Sequence, residues 1–130
     1  MATTAQNRLP LILRDTMVSL VRREGPDLTA RQLAVLLISY LEDGPHTVRG
    51  LAARLDVAKP AITRALDRLE QFDFAQRRQD PRDRRSIVVA RTAEGQAFMD
   101  ALRGLLDEAS KQAATPRAQA ATRSEQRATA

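Results

Sequence analysis

Apolar positions recur along most of this chain at helical spacing, interrupted by one stretch with a period of two. Leu9, Leu13, Met17, Leu20 and Val21 form a stripe, widened by Ile12, that predicts a helix from about Pro10 to Glu24. "GPD" at Gly25–Asp27 interrupts it. "TARQ" (Thr29–Gln32) then fits a capping box, a hydroxyl followed three positions on by Gln, ahead of an apolar run. Leu33, Leu36, Leu37, Tyr40 and Leu41 follow at helical spacing. Ala34, Val35 and Ile38 fill the other sides, so this helix is expected to be the most buried. "DGP" (Asp43–Pro45) stops it. Thr47 can cap a short helix with Val48, Leu51, Ala52 and Leu55 inward. Asp56–Ala58 is a tight link with one apolar plug, Val57. Pro60 sits where a helix tolerates proline, in the first turn. In the helix it opens, Ile62, Ala65, Leu66, Leu69 and Phe72 point inward. Ala61, Thr63, Arg64, Asp67, Arg68 and Gln71 point outward.

The period then shortens to two. Phe74–Arg78, a charged tip and "SIVVART" read as a two-stranded hairpin, with Ile87 and Val89 on one side and Val88 and Ala90 on the other. Thr92 can cap a last helix whose apolar side holds Phe98, Ala101, Leu102, Leu105, Leu106 and Ala109. From Ala113 the chain has no large apolar residue, so 113–130 is expected to be a mobile, weakly basic tail. Two short helices joined by a three-residue link fit a helix-turn-helix, and a hairpin after it makes a winged helix. The expected class is mainly α with a small β-hairpin wing (α+β). One domain spans 1–112, with a core of about 28–92 between flanking helices at about 8–24 and 93–112.

Composition narrows the chemistry. With 130 residues the chain can bury one modest core. Aromatics are 3% with no Trp, which argues against a base-stacking surface. The absence of cysteine excludes disulfides, thiolate catalysis and cysteine zinc sites. His46, the only histidine, sits in a turn, and one imidazole does not build the usual zinc site, so no metal and no cofactor are expected. Glu42/Asp43 and Asp107/Glu108 are neighbours in sequence, which on a helix points them apart, so they make poor acid–base pairs; no enzyme is expected. No apolar run approaches the roughly 20 residues of a membrane span. The N-terminus is a poor signal peptide. A cytoplasmic protein is expected.

The formal charge is +5, and it is concentrated. Lys59–Arg91 holds nine basic and five acidic residues, nearly all of that excess. "RRQDPRDRR" at 77–85 packs five arginines and two aspartates into nine positions. Arginine's planar fork pairs phosphates bidentately and fits a narrow minor groove. Neighbouring carboxylates can fix such side chains before binding. The second helix of the pair can enter a DNA major groove, with the hairpin tip beside it.

"LTARQLAVLL", "HTVRGLAARLDVAKPAITRALDRLE" and "RRQDPRDRRSIVVARTAEG" together resemble the MarR family of bacterial winged-helix regulators, over roughly Leu28–Gln96. The resemblance implies that the helix Lys59–Phe72 reads bases, with Pro60, Ala61, Thr63 and Arg64 nearest the groove. It implies that Arg85 enters the minor groove, held by Asp83. Lys59, Arg68, Arg77, Arg78, Arg82 and Arg84 complete the expected DNA-binding set. It further implies a homodimer built through the N-terminal helix and two C-terminal ones, here by Leu9, Ile12, Leu13, Leu20, Leu102, Leu105 and Leu106. A repressor released by a small-molecule ligand is the family's commonest form. The chain departs from the family in four places. Asp73 replaces the usual Gly before the wing, Arg91 the usual Leu before Thr92, and Gly50 a usual polar residue. Only one C-terminal helix is evident. The expected function is a sequence-specific, double-stranded-DNA-binding regulator. The alternative is a winged-helix interaction module that does not read DNA.

Overall fold

The computed structural model describes residues 5–114, so the expected tail lies outside the described residues from position 115 onward. In chain order the elements are α1 (Ala5–Arg22), α2 (Ala30–Leu41), α3 (Val48–Leu55), α4 (Lys59–Gln71), β1 (Ala75–Asp80), β2 (Asp83–Arg91) and α5 (Ala93–Ala113). This is a winged helix-turn-helix. Both strands reach further toward the wing tip than the sequence reading, and the outer ends of α1 and α5 differ from it as well. α1 starts at Ala5, with Pro10 inside it, because the polar residues ahead of Pro10 carry no apolar signal that would reveal a helix. α5 extends through Ala113, which is buried.

The described chain divides into two compact units, one of residues 26–100 and one pairing the segment up to Gly25 with that from Ala101. The first has a core from three helices. Val35 and Leu36 of α2, Leu51 of α3, and Ile62, Leu66 and Leu69 of α4 are its largest fully buried side chains. Each stabilises the fold by roughly 1.5–3 kcal/mol through removal from water. The Phe74 and Phe98 rings meet at 4.8 Å and extend that core.

Caps and turns set the helix ends. The capping box at Thr29 is present: its side chain accepts from the Gln32 amide at 3.1 Å, and the Gln32 side chain accepts from the Thr29 amide at 3.0 Å. Thr47 accepts from the Gly50 amide at 2.9 Å. α3 and α4 end in the same way. Asp56 (φ 54°) and Asp73 (φ 60°) are left-handed, and their amides donate to Ala53 and Glu70. The next amides, Val57 and Phe74, reach back to Ala52 and Leu69. This is the Schellman arrangement, with Asp where glycine is usual. The turn before the wing is thus retained despite Asp73.

Arg91, where the family resemblance expects Leu, closes the end of α2. Its Nε donates to the Ser39 carbonyl at 2.8 Å and its Nη2 to the Glu42 carbonyl at 3.2 Å. The guanidinium lies 5.6 Å from the Tyr40 ring centroid. A cation at orphan carbonyls of a helix C-terminus satisfies them and complements the dipole.

The other unit contains α1 and residues 101–113 of α5. Arg8 Nη2 donates to the carbonyl and hydroxyl of Ser110 at 3.2 and 2.8 Å. Thr16 is buried, and Ile12 and Leu20 are half-buried. Leu9, Leu13, Met17 and Val21 form the adjacent stripe and are 67, 61, 40 and 66% exposed, so the apolar face of α1 is wider than its own unit covers. Leu102, expected at a subunit interface, is instead 5% exposed and already packed within its own chain. Leu105 is half-buried, and Leu106 is exposed.

Candidate nucleic-acid interface

The sorting of α4 is the one its sequence pattern requires. Ile62, Ala65, Leu66 and Leu69 are buried; Lys59, Pro60, Thr63, Arg64, Asp67 and Arg68 are exposed, and Ala61 is half-buried. Pro60 occupies the first turn, and Ala58 before it provides no side-chain cap. Thr63 turns its hydroxyl back to the Lys59 carbonyl at 3.2 Å. Arg64 has no ion-pair partner among the described residues and stands free at the exposed face.

The wing is a two-stranded antiparallel sheet. Ala75 pairs with Arg91, Arg77 with Val89 and Gln79 with Ile87, and the register shifts between Gln79 and Asp80. Only Pro81 and Arg82 lie beyond the strands, so Arg77, Arg78, Arg84 and Arg85 belong to the strands and not to the loop. Polar side chains shape the tip. Asp80 accepts from the Arg82 amide at 2.9 Å, and the Gln79 side-chain amide donates to the Arg84 carbonyl at 2.8 Å.

Asp83 departs from expectation. Its Oδ1 accepts from the backbone amide of Arg85 at 3.0 Å and its Oδ2 from the Ser86 hydroxyl at 3.4 Å. It fixes the backbone beneath Arg85 and does not hold the guanidinium. Arg82, Arg84 and Arg85 carry no ion pair among the described residues, so their charges face solvent.

Two other arginines in the expected set are engaged. Arg68 donates to the Gln71 side chain at 2.9 Å and lies 4.6 Å from the Phe72 ring centroid. Arg77 meets two carboxylates of α4: Asp67 at 2.5 Å, and Glu70, whose two oxygens take its Nε and Nη2 at 3.0 Å each. These bonds hold the Glu70 carboxyl below its ordinary value and keep Arg77 firmly protonated. Arg78 donates to the Gln76 side chain at 3.2 Å and is exposed.

A cleft of about 500 Å³ lies where α3, α4 and β2 face one another. Its lining brings together Lys59 and Thr63 of α4, Arg77 of β1, Asp83 and Arg85 of β2, and Arg49 of α3. Arg64, Arg78, Arg82 and Arg84 do not line it. Arg49 was not among the residues read from the sequence. The signal was available: it is the second residue after the Thr47 cap, an exposed first-turn position between inward Val48 and Leu51. The wing is fastened to this side by the Val89 amide, which donates to the His46 carbonyl at 2.9 Å, and by a bridge between Thr47 and Val88. A concave surface with several cations and one carboxylate suits a polyanion. Among the described residues no cluster of three or more His, Asp or Glu could hold a metal ion, and no helix is long and apolar enough to cross a membrane.

Comparison with known proteins gives a consistent family. Residues 28–87 match the model of the MarR family. The uncharacterized helix-turn-helix-type transcriptional regulator YkoM of Bacillus subtilis (strain 168) is 33% identical over 69 residues, 53% of this chain. The chain spans only 44% of that relative's length. The crystal structure of MarR superposes with a TM-score of 0.60 at 29% identity, covering 95% of this chain and 93% of the other. The S. aureus MepR–DNA complex gives a TM-score of 0.63 at 18% identity over 95% of this chain and 93% of the other, a likeness of fold alone. Residues 28–87, with their helix-turn-helix and arginine-rich wing, are thus a domain of the MarR family of winged helix-turn-helix transcriptional regulators.

Proposed function

We propose that the chain is a cytoplasmic, sequence-specific DNA-binding regulator. The observation that carries this reading is the cleft joining the exposed start of α4 to Arg49 and Arg85. In this reading α4 lies in the major groove, where Pro60, Ala61, Thr63 and Arg64 approach base edges. Arg85 reaches the adjacent minor groove, with its backbone set by Asp83. Lys59, Arg49, Arg78, Arg82 and Arg84 meet phosphates, which position the protein without reading sequence. That MepR, a protein of the same fold, was solved on DNA supports the docking as one the fold permits.

The working form is a homodimer. One winged helix offers few base contacts, and two copies on adjacent half-sites lengthen the sequence read. The stripe of Leu9, Leu13, Met17 and Val21 is the surface the second copy covers, with Leu106 adding to it. Repression follows from a dimer occupying a promoter, in line with the family's commonest mode.

A gel-shift assay on duplex DNA from upstream of the protein's own gene tests the reading. A retarded band that survives excess unrelated DNA supports it. No band, or a band that unrelated DNA removes equally, overturns it in favour of a winged-helix interaction module.

A further inference from the structure

One rung of the wing is tied to helical elements on both of its sides. Arg77 of β1 pairs with Val89 of β2, and both amides donate outward, away from each other. The Val89 amide goes to the His46 carbonyl at 2.9 Å, just ahead of α3. The Arg77 amide goes to Glu70 Oε1 of α4 at 2.7 Å. The Arg77 side chain adds three further bonds to α4, two to Glu70 and one to Asp67. Beyond this rung, towards Asp83, polar bonds within the hairpin hold the tip, and its guanidinium groups are unpaired.

We propose that Arg77 is a positioning residue: with Glu70 and Asp67 it clamps the wing to α4 and so fixes the spacing between the parts that enter the two grooves. This rests on the DNA-binding reading above. Three of the five side-chain N–H donors of Arg77 are already taken, and so is its backbone N–H. The charge also points away from a phosphate contact. One guanidinium with two carboxylates is a net negative group, which repels the DNA backbone. A carboxylate kept this close to a polyanion weakens non-specific binding, so its benefit lies elsewhere. A two-toothed grip on a planar fork supplies one: it defines orientation as well as distance, which a point charge does not. The wing arginines and the α4 residues address different grooves of one duplex. A wing released from α4, and held only through Val88, Val89 and Arg91, would meet cognate and unrelated sequences with similar ease.

The test compares Glu70→Ala and Arg77→Gln with the intact protein, after circular dichroism confirms that both are folded. Binding is measured to a cognate and an unrelated duplex across a salt series, and amide exchange is followed at residue 77 without DNA. The clamp requires that both variants lose at least 5-fold in cognate binding. It requires that the double variant be no worse than either single one. Glu70→Ala should bind unrelated DNA as well as the intact protein or better, and the salt slope of Arg77→Gln should be unchanged. Tighter cognate binding by Glu70→Ala overturns the proposal, because simple removal of a negative charge then explains the result. A salt slope for Arg77→Gln reduced by about one phosphate overturns it as well, since Arg77 is then a backbone contact. If the intact protein prefers no sequence, the DNA reading fails, and amide exchange judges the clamp alone. Faster exchange at residue 77 in Glu70→Ala then supports the clamp, and unchanged exchange overturns it.

Discussion

The hydroxyl of Tyr40 stands where a side chain on Gly95 would have to go. A Cβ at position 95 would lie 1.9 Å from that oxygen and 2.2 Å from the Phe74 carbonyl. Tyr40 is buried, donates to the Phe74 carbonyl at 2.7 Å and accepts from the Thr92 amide at 2.9 Å. Thr92 in turn accepts from the Gly95 amide at 2.9 Å. The Thr-x-x-Gly pattern after the wing is therefore one joint, in which Thr caps α5 and Gly admits the tyrosine oxygen. Gly95→Ala is expected to destabilise the protein by about 3 kcal/mol, at the upper end of overpacking costs. Tyr40→Phe should rescue it only in part, because the Phe74 carbonyl still obstructs the new methyl. Urea unfolding of the two single variants and the double variant measures this, and a stable Gly95→Ala protein contradicts it.

Asp73 gives a prediction of opposite direction. It holds a left-handed backbone at φ 60° with an exposed side chain. Glycine relieves roughly 1 kcal/mol of strain there and adds freedom to the unfolded chain, which offsets about half of it. Asp73→Gly is expected to gain about 0.5 kcal/mol. Asp73→Val, with a β-branched side chain that this region scarcely admits, should lose more than about 1 kcal/mol. Equal thermal stability of the Val variant and the intact protein would rule out the strain.

The exposed stripe of α1 sets the third. Leu13→Glu places a carboxylate at the middle of the proposed subunit surface and removes nothing from a packed core, since Leu13 is 61% exposed. The variant should keep its helical content and fall to monomer mass in light scattering at micromolar concentration. A mass equal to that of an intact dimer would show that this face is not the interface.

Much of the fold was legible because it rests on local signals. The capping box at Thr29, the Thr47 and Thr92 caps and the change of period at Phe74 each mark a boundary through a bond between near neighbours. The start of α1 was not legible, since Asn7 and Arg8 carry no apolar period ahead of Pro10. Partners distant in sequence were the harder part. Arg77 reads as one more wing arginine, and only folding brings it to Asp67 and Glu70. Arg91 reads as a misplaced charge until the end of α2 lies against it. Asp83 and Arg85 do come together, but through the Arg85 backbone amide, a bond that residue types alone do not distinguish from an ion pair. The cleft residues Lys59, Thr63 and Arg85 were legible by type, whereas Arg49 entered only through its place beside them.

The arginines of the cleft bear most directly on the proposed function. The decisive measurement is the affinity of Arg85→Ala and Arg49→Ala for a cognate duplex, between low and moderate salt. Arg54→Ala is the control, because Arg54 pairs with Glu42 at 2.8 Å and does not line the cleft. Arg85→Ala is expected to lose about 1–3 kcal/mol of cognate binding, the range of one good groove contact. Arg49→Ala should weaken all sequences alike and reduce the salt slope by about one phosphate. Arg54→Ala should bind as the intact protein does. Unchanged affinity in folded Arg85→Ala and Arg49→Ala proteins, or an equal loss in Arg54→Ala, would contradict the assignment of this cleft to DNA.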